Sequence, residues 1–232
     1  MKAGPFSVKV GRAKVTAIAY PTKASSAKAL GMGTFLFAHG AGAGQRHPYI
    51  AGTAERLRTR GLSVVTFDFP YMESGKKLPD KNDALEECFG AVFAAVKAKI
   101  AKLRGSPLLF TGGKSMGGRI ASQVAAKGAI DPAGLIFLGY PLHPPGKPTQ
   151  RRDKHLADVR APMLFVQGTR DPLGTPAEVS PLLPDLAKGS RVFTVEGGDH
   201  SHGVPKRGEV SQDDVFATIA DTIIDWVKRL LR

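Results

Sequence analysis

The sequence predicts one α/β domain, with a mainly parallel sheet that is covered by helices on both faces. Apolar runs typical of strands alternate along the chain with stretches of helical periodicity. The run Thr34–Ala38 is continuous rather than alternating, which indicates a strand buried on both faces. A chain of 232 residues with 42% hydrophobic residues can bury a substantial core. We therefore expect residues 1–232 to form a single domain.

The first half of the chain opens with a pattern typical of a β-hairpin. Residues 6–10 and 14–19 alternate loosely around Gly11, so residues 1–20 are expected to form an antiparallel hairpin at the sheet edge. The next expected elements are a polar connection at 21–33, a strand at 34–38, a helix at 48–60 ended by Gly61, a strand at 62–69, a loop from Pro70, and a helix at 83–104 whose apolar residues recur every three or four positions.

The second half continues the alternation of strands and helices. Its expected elements are a strand from Leu108, a helix ending near Lys127, strands at 134–140, 162–167 and 191–195, a short helical turn at 155–159, a proline-interrupted helical segment at 176–187, and a helix at 211–232. Ser211 can cap the last helix, whose inner face carries Phe216 and Trp226. The connection after Tyr140 is short and rich in proline, so we expect no large lid domain.

Composition narrows the classes of function. Lys and Arg number 33 against 20 Asp and Glu, a net charge of +13. The basic residues are scattered without interleaved aromatic residues, so no specific nucleic-acid motif is present. The single cysteine, Cys88, excludes a disulfide framework and favours a reducing compartment. No apolar run is long enough to cross a membrane or to serve as a signal core, so we expect a cytoplasmic protein with no membrane partner.

A glycine-rich stretch supplies the candidate nucleophile. Gly113-Lys114-Ser115-Met116-Gly117 fits the pattern G-x-S-x-G, in which a sharp strand-to-helix turn exposes a serine hydroxyl. The backbone N–H of Met116, at the helix N-terminus, can then stabilise an oxyanion. A phosphate-binding P-loop would need a glycine at position 108, which is leucine. The motif alone leaves open the alternative that Ser115 belongs to a glycine-rich turn and has no catalytic role.

A second glycine-rich stretch follows the first buried strand. His39-Gly40-Ala41-Gly42 fails as a dinucleotide-binding fingerprint because the third glycine would fall on Gln45. The small residues instead suit a loop whose backbone N–H faces a substrate carbonyl, and we place this second oxyanion donor at Ala41, within one residue. His39 is expected to orient the loop through hydrogen bonds.

An acid and a base follow later predicted strands. Ser115, Asp171 and His200 each come just after a strand, in the chain order serine, aspartate, histidine. Serine needs a neighbouring base to become a nucleophile, and an acid orients that base. His202 is the rival base. The alternative acids Asp199 and Asp68 are disfavoured, because the first adjoins the histidine and the second breaks the chain order.

Weaker predictions concern the substrate and other ligands. His39, Gly40, Tyr71 and His143 are candidate substrate contacts, and the proline-rich loop could bring His143 and Arg151-Arg152 to the site mouth or form a rigid surface. The net charge raises the hypothesis that anionic substrates are preferred. We expect no cofactor and no metal, because the six histidines are dispersed and only His200 and His202 lie close in sequence.

Five segments together resemble small α/β-hydrolases distantly akin to dienelactone hydrolases. They resemble more closely the group that includes testis-expressed hydrolase-like proteins and a chromatin-complex subunit of the NSL type. The segments are His39-Gly-Ala-Gly-Ala, Phe67-Asp-Phe-Pro-Tyr-Met-Glu, Gly112-Gly-Lys-Ser-Met-Gly-Gly-Arg, Gly139-Tyr-Pro-Leu-His-Pro-Pro-Gly-Lys and Gly197-Gly-Asp-His-Ser. The resemblance implies the α/β-hydrolase fold, with Ser115, Asp171 and His200 as the catalytic triad. Dienelactone hydrolases use a cysteine nucleophile where this chain has serine, so their substrate does not carry over.

Two functions follow from the sequence. The first is a serine hydrolase, of carboxylesterase type, that cleaves a small ester, thioester or amide through an acyl-enzyme. The second is a hydrolase fold used as a binding or scaffold protein with a basic surface, because the resembling group contains scaffold subunits. The oligomeric state stays open.

Overall fold

The computed structural model describes residues 1–22, 32–103, 108–205 and 210–232. Within these residues, eight strands form one sheet in the order β1-β2-β4-β3-β5-β6-β7-β8. The strands are β1 (Gly4–Val10), β2 (Ala13–Tyr20), β3 (Thr34–Ala38), β4 (Ser63–Phe67), β5 (Leu109–Lys114), β6 (Leu135–Leu138), β7 (Met163–Gly168) and β8 (Arg191–Val195). β1 and β2 are antiparallel at one edge, and β3 to β8 pair in parallel. This mainly parallel sheet confirms the predicted fold class.

Helices cover both faces of the sheet, as a continuously apolar strand requires. They are α1 (Pro48–Thr59), α2 (Pro70–Glu73), α3 (Asn82–Ile100), α4 (Met116–Ala126), α5 (Pro176–Val179) and α6 (Gln212–Leu230), with 3-10 helices at Lys154–Asp158 and Ser180–Asp185. Phe35 and Phe37 point to the face covered by α1 and α6, and Leu36 and Ala38 point to the face covered by α3 and α4. This alternation along β3 divides the core into two layers.

The ends of two helices follow from local sequence. Pro48 starts α1, where its missing N–H has no cost. Ser211 accepts a hydrogen bond from the Asp214 backbone N–H at 3.2 Å and caps α6.

Three expectations need correction or fall outside the described residues. The segment from Pro70 is the short helix α2 and not a loop, because Pro70 starts the turn and Glu73 accepts hydrogen bonds from Thr16 of β2. α3 ends at Ile100, and the expected helix end at Arg104 lies outside the described residues. Most of the expected polar connection at 21–33 also lies outside them.

The connection from β6 to β7 bears on access to the strand ends. Residues 139–162 are all described and contain only the 3-10 helix at Lys154–Asp158. No lid domain is inserted in this connection, in agreement with the sequence expectation. None of the described helices has the length and apolar character needed to cross a bilayer.

Candidate active site

A sharp turn between β5 and α4 presents Ser115. Its backbone has φ 50° and ψ −116°, in a region that residues with a side chain rarely adopt. Such a conformation costs about 1–3 kcal/mol and persists only where the surrounding structure fixes it. The strained turn therefore lowers the stability of the fold, and it positions the Ser115 hydroxyl at the carboxyl end of the central strand β5.

Glycines beside Ser115 let neighbouring backbones approach more closely than a side chain would permit. A Cβ atom on Gly112, whose φ is 144°, would lie 1.9 Å from the carbonyl oxygen of Ile136 in β6. A Cβ atom on Gly117, in the first turn of α4, would lie 2.5 Å from the carbonyl oxygen of His39. Gly112, just before the motif, and Gly117, within it, are thus required by the packing of β5 and α4 against their neighbours.

A continuous hydrogen-bond chain links Ser115 to a histidine and an aspartate. Ser115 Oγ lies 2.9 Å from His200 Nε2, and His200 Nδ1 lies 2.8 Å from Asp171 Oδ2. Because an ionised carboxylate only accepts, Nδ1 carries the proton, and Nε2 can accept the serine proton. Asp171 also accepts a hydrogen bond from the backbone N–H of Leu173 at 2.9 Å. These three side chains come from the ends of β5, β7 and β8, where parallel strands meet at one edge.

His202, the rival base, is engaged elsewhere. Its Nε2 lies 3.1 Å from the carbonyl oxygen of Val166 and its Nδ1 lies 2.7 Å from the hydroxyl of Tyr49. The carbonyl can only accept, so Nε2 donates to Val166 and Nδ1 accepts from Tyr49. Burial lowers the pKa of His202 to about 4, and the positive charge of Lys114 acts in the same direction. His202 is therefore a neutral buried group that anchors the loop after β8.

The two rival acids are also satisfied by other groups. Asp199 Oδ1 accepts from the backbone N–H groups of Ser201 at 2.7 Å and Gly203 at 2.8 Å. Asp68 accepts from the backbone and side-chain N–H groups of Gln45 at 2.7 and 2.9 Å. Both carboxylates shape loops, and neither is hydrogen-bonded to the ring of His200.

The glycine-rich loop after β3 runs beside the serine. A Cβ atom on Gly40 would lie 3.5 Å from Ser115 Cβ. Ala41 and Met116 line the same cavity as Ser115. The first backbone N–H groups of an α-helix have no acceptor within the helix, which leaves Met116 N–H available to a bound group.

His39 holds this loop from below. Its Nε2 accepts the backbone N–H of Phe69 at 3.1 Å, so Nδ1 carries the proton and donates to the carbonyl oxygen of Gly40 at 2.7 Å. Burial lowers the pKa of His39, which keeps the ring neutral. Both ring nitrogens are occupied and the side chain is fully buried, so His39 is not available to a substrate.

A cavity of about 330 Å³ opens at Ser115. Its described lining residues are Ala41, Pro79, Asp80, Asn82, Leu85, Ser115, Met116, Arg119, Pro141, Arg152 and Leu173. The structure does not bring Tyr71 or His143 to this lining. Tyr71 is 1% exposed and packs against His39, while His143 bonds to Pro144 O at 2.9 Å and Glu178 at 3.0 Å. The described residues contain no cluster of three or more His, Cys, Asp or Glu side chains placed to hold a metal ion.

Comparison with known proteins agrees with this architecture. A family model described as an alpha/beta hydrolase domain matches residues 31–228. The chain belongs to the alpha/beta hydrolase family. The more specific kinship with the testis-expressed and NSL-type group stays a prediction.

Solved structures similar to this hydrolase include three of nearly equal length. A serine hydrolase without a lid from Xanthomonas campestris has a TM-score of 0.74 at 19% identity, covering 99% of this chain and 95% of its own. Dienelactone hydrolase from Anabaena variabilis has a TM-score of 0.73 at 20% identity, covering 100% and 99%. Est1E from Butyrivibrio proteoclasticus, with ferulic acid bound, has a TM-score of 0.74 at 15% identity, covering 96% and 99%. At these identities the likeness shows the fold.

The hydrolase also carries a buried lysine, Lys114, within the motif that contains Ser115. Lys114 is 7% exposed, and its Nζ has no hydrogen-bond partner among the described residues. A Cβ atom on Gly139 would lie 3.1 Å from this Nζ and 3.3 Å from His200 Nδ1, so the ammonium lies close to the histidine. Burial lowers the pKa of Lys114 to about 8, although Asp171 and Asp199 oppose the shift. No sequence signal distinguishes this lysine from an exposed one, since lysine is rarely buried.

Replacing Lys114 with methionine is expected to raise the free energy of unfolding at pH 7 by about 1–3 kcal/mol, because a buried, unpartnered ammonium is removed. The folded-state pKa is lower than the unfolded value of 10.5, so the unfolded state binds more protons between pH 8 and 10.5. The free energy of unfolding of the wild type therefore rises, relative to that of Lys114→Met, as the pH increases from 8 to 10.5. The difference in stability between the two proteins should shrink accordingly. Urea unfolding at several pH values measures this. Lys188→Met, at an exposed lysine, is the control and should change stability by less than about 0.5 kcal/mol.

Proposed function

We propose that this hydrolase is a serine hydrolase of carboxylesterase type that cleaves a small ester, thioester or amide through an acyl-enzyme. The observation that carries the proposal is the hydrogen-bond chain from Ser115 through His200 to Asp171, with distances of 2.9 and 2.8 Å. A scaffold has no physical need for a strained serine aligned with a histidine and a buried carboxylate.

In the proposed reaction, Ser115 Oγ attacks the carbonyl carbon while His200 Nε2 takes the hydroxyl proton. Asp171 keeps the proton on Nδ1 and stabilises the imidazolium that forms. His200 then returns the proton to the leaving group, and water repeats the sequence to release the acid. Ser115 and His200 are thus the covalent and proton-transferring groups.

The proposed oxyanion donors are the backbone N–H groups of Met116 and Ala41. Both residues line the cavity with Ser115, and Met116 begins α4, whose dipole favours negative charge at its N-terminus. One such donor typically contributes about 3–4 kcal/mol to transition-state stabilisation. The role of His39 and Gly40 is to hold the loop that carries Ala41.

A fluorophosphonate probe tests the nucleophile directly. We expect the probe to label wild-type protein stoichiometrically, and Ser115→Ala to remain unlabelled while keeping its fold by circular dichroism. Ser122, a buried serine on α4 that bonds to His155 at 2.8 Å, supplies the control variant Ser122→Ala, which should still be labelled. Failure of folded wild type to react with the probe would contradict the proposal and favour the binding-protein alternative.

A further inference from the structure

Two arginine residues, Arg119 and Arg152, line the cavity that contains Ser115. Arg119 lies one turn along α4 from the serine, and its backbone N–H donates to the Ser115 carbonyl oxygen at 3.1 Å. Four residues of α-helix advance about 6 Å along the axis. The Arg119 backbone is therefore about 6 Å along the α4 axis from that of the candidate nucleophile, and its side chain belongs to the same cavity.

Neither guanidinium has an anionic partner among the described residues. Arg119 donates only to neutral groups, Asn82 Oδ1 at 3.1 Å and Gln123 Oε1 at 3.2 Å. The guanidinium of Arg152 makes no side-chain hydrogen bond or ion pair within the described chain, although its neighbour Arg151 pairs with Asp153. Unpaired arginines in a cavity wall retain several donors that a ligand can use.

The carboxylates near Arg119 and Arg152 do not neutralise the positive charge of the two arginines. Asp80 is the one carboxylate among the described lining residues, and its Oδ2 accepts the backbone N–H of Tyr71 at 2.9 Å. Glu86, whose charge also acts on Arg119, is paired with Lys127. Burial lowers the pKa of Arg119 and the like charge of Arg152 acts in the same direction, whereas Tyr140 and, more weakly than Arg152, Glu86 oppose the shift. Two like charges held together raise each other's free energy, and an anion placed between them removes that penalty.

We infer that the hydrolase acts on small esters or thioesters that carry an anionic oxygen group, held by Arg119 and Arg152 while the scissile carbonyl lies at Ser115. This inference rests on the proposed hydrolase activity. The anionic group is a carboxylate or a phosphate, since guanidinium groups bind both through paired N–H donors. The cavity of about 330 Å³ has room for a small ester that carries such a group.

Binding to Ser115→Ala tests the inference without requiring turnover. Monomethyl succinate is titrated at low ionic strength against its uncharged analogue methyl levulinate, and inorganic phosphate is titrated in a separate arm. We expect monomethyl succinate to bind at least about tenfold more tightly than methyl levulinate. Tighter binding of inorganic phosphate than of the succinate ester would identify phosphate as the preferred anion.

Arginine variants locate the site. Arg152→Gln, at an exposed position, should weaken binding of the anion about 10- to 100-fold, and Arg119→Gln should do the same if thermal unfolding shows it folded. Arg160→Gln, which removes an equal charge from an exposed position outside this cavity, should change binding less than threefold.

Equal binding of the charged and uncharged esters, or anion binding unchanged in Arg152→Gln, would overturn the inference. Either result leaves the proposed function intact, because labelling of Ser115 by the probe does not depend on the arginines. Conversely, the probe could fail to label Ser115 while the arginine variants still lose anion binding. That result would support the anion site and reject the proposed hydrolase activity.

Discussion

Replacing His200 with alanine is expected to lower kcat for ester hydrolysis by about 10³- to 10⁴-fold or more. Without the imidazole, Ser115 has no base at 2.9 Å and the leaving group has no proton donor. The side chain of His200 is 24% exposed, but the buried Asp171 carboxylate loses its donor, so the free energy of unfolding should fall by about 1–2 kcal/mol. Steady-state kinetics on an activated ester, with urea unfolding of the same samples, separate the two effects.

His202 offers a matched control two residues away. Its side chain is fully buried and bonds to Tyr49 and Val166, so His202→Ala leaves a cavity and two unpaired groups. We expect a loss of about 2–4 kcal/mol in stability. The folded fraction should keep far more activity than His200→Ala. The reverse pattern, with kcat abolished in folded His202→Ala and retained in His200→Ala, would reassign the base.

Replacing Gly112 with alanine is expected to have the largest effect on stability. The new Cβ would lie 1.9 Å from the backbone oxygen of Ile136 in the neighbouring strand, and the φ of 144° is unfavourable for any side chain. Neither strand can move without breaking the β5–β6 ladder, so we expect a loss of more than about 4 kcal/mol in the free energy of unfolding. Urea unfolding, or soluble yield if no folded protein is recovered, measures the effect.

Gly90 in α3 provides the opposite expectation for the same substitution. A Cβ atom there meets nothing within 4 Å, and helix interiors favour alanine over glycine by up to about 1 kcal/mol. Gly90→Ala should therefore be neutral or stabilising. If Gly112→Ala proved as stable as the wild type, β5 and β6 would not pair as closely as they do in the structure.

Features that depend on chain order and strand ends could be predicted from the sequence. Ser115, Asp171 and His200 follow β5, β7 and β8, and the carboxyl ends of parallel strands meet at one edge of a sheet. Topology therefore predicts that the three residues share one edge of the sheet, whereas the distances of 2.9 and 2.8 Å between their side chains come from the structure. Their catalytic roles remain a proposal.

The direction of individual side chains could not be predicted in the same way. As expected, the His39 ring holds its loop through hydrogen bonds. The rings of Tyr71, which belongs to α2 and not to a loop, and of His143 turn away from the cavity in which substrate contacts are expected. Arg119 was expected only as part of a motif, since a helical arginine usually points into solvent. Its place in the cavity wall depends on how α4 packs against the segment around Asn82, which is remote in sequence.

The short connection between β6 and β7 has a kinetic consequence for the proposed reaction. Hydrolases that close a lid over the substrate add a conformational step on the microsecond-to-millisecond scale, and in many enzymes with lids opening or product release limits turnover. Here residues 139–162 insert only a 3-10 helix, so this connection supplies no lid that must open before a substrate reaches Ser115. We expect the chemical steps, in which bonds form and break, to limit turnover.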